Sequence, residues 1–153
     1  MDRLLVLVAV VALATVLAAA RTAWDGRVRP TRATASSGAR PPGEAADVVA
    51  VVQPTTPLVL VELTAPSCAA CATARAVLDE VATEHADVSV VALDVADAVD
   101  LARRHRVLRA PTTLVVGADG TLWGRVSGVP DATALAELVA RARGTASQVA
   151  QRA

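Results

Sequence analysis

The sequence contains no Phe, no Tyr and no Lys, so all fifteen of its basic residues are Arg. Without Phe or Tyr there is no ordinary aromatic platform on which bases stack. A formal net charge of zero gives no global attraction to phosphate, and no nucleic-acid partner is expected. Two Cys and two His are too few for a multi-cluster metal protein, and two Cys are too few for a disulfide-rich scaffold. With only two Trp as aromatics, the core has to be built from Val, Leu and Ala. A chain of 153 residues holds one small domain and an accessory segment, not a second full domain. What is abundant is apolar: 54% of residues are hydrophobic and the mean hydropathy is +0.46, high enough to suggest a membrane segment.

Residues 4–20 carry no charge, no Gly and no Pro, and Thr15 is their only polar member. As a helix this run measures about 26 Å, against a hydrocarbon core of about 30 Å. Extension to Trp24, with Arg21 reaching to the interface, closes the difference. Residues 1–24 are therefore expected to form a single transmembrane anchor. A cleaved signal peptide is the alternative, since Ala18, Ala19 and Ala20 offer a small-residue cleavage site. A buried core helix fits poorly with so uniform an apolar surface. Five Arg follow the segment by position 40 and only Arg3 precedes it. That asymmetry leans toward a cytoplasmic C-terminal domain, the signal-like reading toward an extracytoplasmic one. Residues 25–45 are rich in Arg, Pro, Ser, Thr and Gly and read as a flexible basic linker. From Arg21 to Gly43 the net charge is +4, and from Glu44 onward thirteen acids against nine Arg give −4. The basic stretch has the chemistry to touch anionic lipid headgroups, or to be simply solvated.

The remainder alternates between two periodicities. Runs at 58–64, 88–93, 112–116 and 122–127 are apolar and β-branched and predict strands. Residues 69–84 have helical spacing, with Ala72, Ala76, Val77, Leu78 and Val81 on the expected core face. Residues 96–106 predict a short helix, and 132–143 a last one capped by Asp131 and ended by Gly144. Asp119-Gly120 between two strands predicts a hairpin turn. Residues 47–52 fit either a strand or a helix. The order β-α-β-α-β-β-α describes an α/β sandwich over residues 46–144, followed by a disordered tail at 145–153.

The two Cys form C-A-A-C, Cys68 to Cys71, between a predicted strand and a predicted helix. Residues three apart on a helical turn are close enough for a disulfide with modest adjustment. The helix N-terminus favours a thiolate, the species that attacks disulfides. Cys68, at the loop end, is expected to be exposed and to attack; Cys71 is expected to be more buried and to resolve. Zinc would need further ligands, and His85 and His105 are spaced unlike a finger. A purely structural bridge over so short a loop stabilises little, and two inert core thiols are the remaining alternative. No metal and no cofactor are expected.

From Val59 to about Arg143 the sequence resembles the thioredoxin family. L-V-E-L-T-A-P-S-C-A-A-C at 60–71 is similar to the family's strand and active-site loop, although Ser67-Cys-Ala-Ala-Cys71 stands for the common Trp-Cys-Gly-Pro-Cys. Ala110-Pro111-Thr112 is similar to its cis-proline loop, and Asp119-Gly120 and Gly128 fall at its hairpin turn and following glycine. The resemblance implies a thioredoxin-like sandwich, a central mixed sheet flanked by helices. It implies Cys68 as nucleophile, Cys71 as resolving thiol, and Ala110, Pro111 and Thr112 as the ledge that docks an extended substrate by strand addition. Glu62 falls where the family often has a buried acid. One carboxyl in an apolar strand has a raised pKa through desolvation and would exchange a proton with Cys71.

The expected activity is thiol–disulfide oxidoreduction on protein disulfides or dithiols, with an electron donor or acceptor as second partner and the chain acting as a monomer. A specialised exported reductase for cytochrome or metalloprotein assembly, and a non-catalytic binding module, are the rivals. His85 reads as surface and Trp123 as strand packing; the basic group of Arg103, Arg104, His105, Arg106 and Arg109 near a helix C-terminus fits interaction with the helix dipole, with an acidic partner surface as the alternative.

Overall fold

The computed structural model describes residues 2–24, 28–30 and 43–150. Helix α1 spans Asp2–Trp24, strand β1 Val28–Pro30 and helix α2 Ala46–Val52. Strand β2 is Leu58–Thr64, helix α3 Ala69–Thr83, strand β3 Val88–Asp94 and helix α4 Val99–Arg104. Strands β4, Thr112–Gly117, and β5, Leu122–Ser127, form a hairpin, and helix α5 runs Ala132–Ala150.

The sheet has the order β1-β5-β4-β2-β3. β2 pairs parallel with β3 and antiparallel with β4, so it has a partner on each edge. It is also covered on both faces, which is why it reads as an almost continuous Leu and Val run. Alternation sends Val59, Val61 and Leu63 into one apolar cluster with Val48 of α2, Leu101 of α4, Leu114 and Val116. Leu58 and Leu60 enter the other with Leu78 and Val81 of α3, Val115, Trp123, and Leu135 and Leu138 of α5. The result is a three-layer α/β sandwich with a mixed sheet.

Several local expectations are corrected. The core stripe of α3 is Ala74, Leu78 and Val81, with Val77 half-buried, whereas Ala72 and Ala76 are exposed. α4 starts at Val99 rather than 96 because Asp94 closes a turn first: its Oδ1 accepts from Ala96 N at 2.8 Å and its carbonyl from Ala98 N at 3.1 Å. Arg106, with φ 49°, lies in the left-handed region just beyond the helix. Residues 47–52 are helical, and Gln53 at φ 46° closes that helix. α5 passes through Gly144, since a glycine permits a left-handed helix end but does not impose one. Asp131 does cap α5, its Oδ1 accepting from Ala134 N at 2.9 Å. Within the stretch read as a linker, Val28–Pro30 is a strand on the edge of the sheet, paired antiparallel with β5, and residues 43–45 form a turn. Residues 25–27, 31–42 and 151–153 lie outside the described residues.

α1 coincides with the expected anchor. Its Val and Leu side chains are bare, between 57% and 65% exposed from Leu5 to Leu17. Among the described residues, however, no helix is long and apolar enough to cross a membrane. The uncharged part of α1 is bounded by Arg3 and Arg21 and measures about 26 Å, less than the about 30 Å of a bilayer core.

The hairpin turn supports α2 as well. Gly120 adopts φ 78°, and a Cβ there would lie 3.1 Å from Gly43 Cα and 3.2 Å from Ala46 N. Gly120 O accepts from Ala45 N at 2.9 Å, seating the start of α2 on the turn. At the other side of α2, Asp47 accepts from Arg104 Nε at 2.9 Å and lies 3.1 Å from His105 Nε2. Burial pushes the Asp47 carboxyl up, but the hydrogen bond and charge of His105, with hydrogen bonds from Arg104 and the Val48 backbone, outweigh it. The net position is below the usual carboxylate range. Asp87 is also held low, chiefly by Arg143, whose Nε donates to it at 2.7 and 2.8 Å. A carboxyl depressed in the folded state adds stability above its unfolded value and loses it as pH falls through the folded value. The urea midpoint is therefore expected to drop as pH falls below about 4, and Asp47→Asn to flatten that slope while costing about 1 kcal/mol at pH 7.

Candidate active site at the start of helix α3

β2 ends at Thr64, and the chain turns through Ala65, Pro66 and Ser67 before α3 begins. Ser67 takes φ 60°, a left-handed position, and Cys68 N donates to Ala65 O at 3.3 Å. Cys68 is the N-cap of α3, in extended conformation, with no side-chain cap bond. Its carbonyl accepts from Cys71 N at 3.1 Å, closing the first helical turn. That turn brings the Cα atoms to 5.4 Å, and the two residues form a disulfide. No acidic residue occupies the first turn, so nothing on the helix itself offsets its positive end beside the sulfurs. Cys68 and Cys71 are both half-buried, so the expected contrast between an exposed and a buried thiol is not found in this oxidised form. Cys71 does lie on the same stripe as Ala74, Leu78 and Val81, the one directed at the sheet.

The sheet register brings the second half of the site to the same end. Leu63 pairs with Thr112, and Thr112 with Ser127. The N-terminus of β4 therefore lies beside the C-terminus of β2, from which the Cys-bearing loop departs. The Ala110–Pro111 bond just before β4 is cis. Thr112 Oγ1 donates to Arg109 O at 2.7 Å, and Gly128 N donates to Pro111 O at 2.8 Å, which fastens this loop on both sides. Among the described residues the main chain of Ala110 makes no hydrogen bond, and the residue is half-buried.

Glu62 is 1% exposed, in a strand otherwise made of Leu, Val and Thr. It shares the face of Leu58 and Leu60, the side of the sheet covered by α3. Among the described residues its Oε1 has no hydrogen-bond partner. Burial pushes its carboxyl up; Arg75 pulls it down and Asp79 pushes it up, and the net position is raised. These two α3 side chains are paired with each other at 3.0 and 3.1 Å, which blunts the effect of either. A second buried polar atom without a partner is Thr113 Oγ1, on the residue directly opposite Glu62. Thr113 escapes sequence reasoning, because a Thr in a β run reads as strand propensity. His85 lies away from this region, its Nδ1 3.2 Å from Arg143 Nη1.

A carboxyl whose folded-state value is raised stabilises the fold fully below its unfolded value, about 4.3, and loses that contribution as pH rises through the folded value. Glu62→Gln is therefore expected to stabilise the oxidised chain by about 1–2 kcal/mol at pH 8 and to have little effect at pH 4, measured by urea unfolding at the two pH values.

Comparison with known proteins matches this architecture. The family model described as Thioredoxin covers residues 45–141. Chloroplastic thioredoxin z is 27% identical, with a TM-score of 0.52 over 65% of this chain and 88% of that one. Oxidised mitochondrial thioredoxin 3 of Saccharomyces cerevisiae is 25% identical, with a TM-score of 0.50 over 60% and 84%. For Fasciola hepatica thioredoxin, at 24% identity, the TM-score is 0.51 over 63% and 92%, a likeness of fold. No curated protein matches the chain. A family match over residues 45–141, well over half the chain and enclosing a dithiol at a helix start, makes this chain a member of the thioredoxin family.

Proposed function

We propose that the chain is a thiol–disulfide oxidoreductase that uses Cys68 as nucleophile and Cys71 as resolving thiol on protein clients. The observation that carries this is the Cys68–Cys71 disulfide at the α3 N-terminus, at the same end of the sheet as the cis-proline loop. In the reduced chain the positive helix end stabilises the Cys68 thiolate. The thiolate attacks one sulfur of a client disulfide, giving a mixed disulfide and releasing the other client sulfur as thiolate. Cys71 then gives its proton to Glu62, directly or through water, and attacks Cys68 Sγ. The second client sulfur leaves as thiolate and the Cys68–Cys71 disulfide is formed. Two electrons pass from the chain to the client, and an external dithiol restores the reduced state. Oxidation of a client dithiol is the same sequence reversed. The unoccupied main chain of Ala110, with Pro111 and Thr112, suits an extended client segment added as a short strand.

Glu62 suits proton exchange because its carboxyl is buried, raised and directed to the α3 side of the sheet. Cys71→Ser is expected to trap clients as mixed disulfides on Cys68, visible as non-reducing gel shifts that dithiothreitol reverses. Cys68→Ser is expected to trap none. Absence of adducts with Cys71→Ser, together with no reduction of insulin by the reduced wild-type chain, would leave a non-catalytic binding module.

We further propose that α1 anchors this domain to a membrane. Its exposed Val and Leu side chains support the reading, and local bilayer thinning meets the few Å by which its apolar part is short. The excess of Arg after the segment favours a cytoplasmic domain. A topology reporter fused after Ala153 is expected to report the cytoplasmic side; an external signal reverses the orientation, and release of the fusion from carbonate-washed membranes removes the anchor.

A further inference from the structure

Two directly opposed residues of the sheet each carry a buried oxygen that has no partner among the described residues. Glu62 and Thr113 are direct cross-strand partners of β2 and β4. They are 1% and 0% exposed, and neither Glu62 Oε1 nor Thr113 Oγ1 has a hydrogen bond among the described residues. Both lie on the α3 side of the sheet, Glu62 in phase with Leu60 and Thr113 in phase with Val115. Directly opposed residues of antiparallel strands have Cβ atoms about 4.5–5.5 Å apart. A turn of the Glu62 side chain, or one intervening water, completes a hydrogen bond between them. A buried hydroxyl without a partner is costly, and Val would fill the same volume without that cost. The hydroxyl is therefore out of place in this apolar layer unless Glu62 uses it.

We infer that Thr113 is a positioning residue for Glu62, its hydroxyl donating to the carboxylate and accepting from the carboxylic acid. This rests on the reading of Glu62 as the group that exchanges a proton with Cys71, and it deepens that reading. A hydroxyl is both donor and acceptor, so it serves the carboxyl on either side of the transfer. An ionised carboxylate can only accept, and on the strands beside it nothing else is placed to donate: Ala92 of β3 is its other cross-strand neighbour. Of the titratable groups among the described residues, Arg75 and Asp79 of α3 act on Glu62. Thr113 thus holds the carboxyl in one place, under α3, and keeps its charged form accessible against the desolvation that opposes it.

The test uses the full chain in mild detergent, labelled with carboxyl-13C Glu, in the oxidised state. The Glu62 resonance is identified by its loss in Glu62→Gln. Thr113→Val is expected to move the Glu62 titration midpoint upward by at least about half a pH unit, roughly threefold in the proton equilibrium, and Thr113→Ser to restore it. An unmoved or lowered midpoint in Thr113→Val overturns the inference, as does a Thr113→Ser chain that titrates like Thr113→Val. Should Thr113→Val fail to melt cooperatively, Thr113→Ala is read in its place with the same two outcomes. The second measurement is the pH profile of client release from a preformed Cys68 mixed disulfide. A parallel shift in Thr113→Val, absent when Glu62→Gln is also present, supports the inference in the reaction itself. If Glu62→Gln leaves that profile unchanged while Thr113→Val still moves the resonance, the proton-exchange reading of Glu62 falls and the pairing of Thr113 with Glu62 stands.

Discussion

The pairing of β2 on both edges is the constraint on which the rest of the molecule depends. Its neighbours β3 and β4 settle the register, and its two faces feed the two apolar clusters. Side chains alternate with a period of two, so a slip of one residue would exchange the faces. Val59, Val61 and Leu63 would survive such an exchange chemically; Glu62 would not, because it would leave the α3 side for the layer of α2 and α4. The same register decides where β4 begins, and so where the Ala110–Pro111 loop meets the Cys-bearing turn. The site is thus assembled from strand ends, and its precision is inherited from the sheet and not from the loops.

The chemistry of that site follows from two opposed electrostatic environments a few residues apart. At the α3 start, unpaired N–H groups and the absence of first-turn acids favour negative charge on sulfur. Beneath it, the apolar layer disfavours negative charge on Glu62. The proposed move of a proton from Cys71 to Glu62 would transfer charge from one environment to the other. The carboxyl's raised position brings it closer to the range in which thiols titrate, so the exchange is less uphill than with an exposed acid.

Much of this was legible in the chain before any coordinates. β2 and β5 stand at the residues that their apolar runs delimit, because a strand buried on both faces leaves an unbroken signal. The C-A-A-C spacing and the Ala110-Pro111-Thr112 loop are local features, and both lie where their local chemistry puts them. What could not be read is non-local or conformational. β1 is three residues long, and its partner Val126 lies most of the chain away. The delayed start of α4 depends on the Asp94 carboxylate capturing the backbone, and the exposed face of α3 on a rotation that Ala residues do not report. Thr113 looks like any β-branched residue until its neighbour across the sheet is known to be an acid.

The edge strand β1 also bears on how far the domain can travel. Three residues separate Trp24 from Val28, a stretch of at most about 14 Å between Cα atoms. Val28–Pro30 is itself stitched to β5, so the step from Trp24 to Val28 sets how far α1 and the sheet can part. With α1 held in a membrane as proposed, the domain works within a short radius of it, and only disulfides presented inside that shell are within its reach.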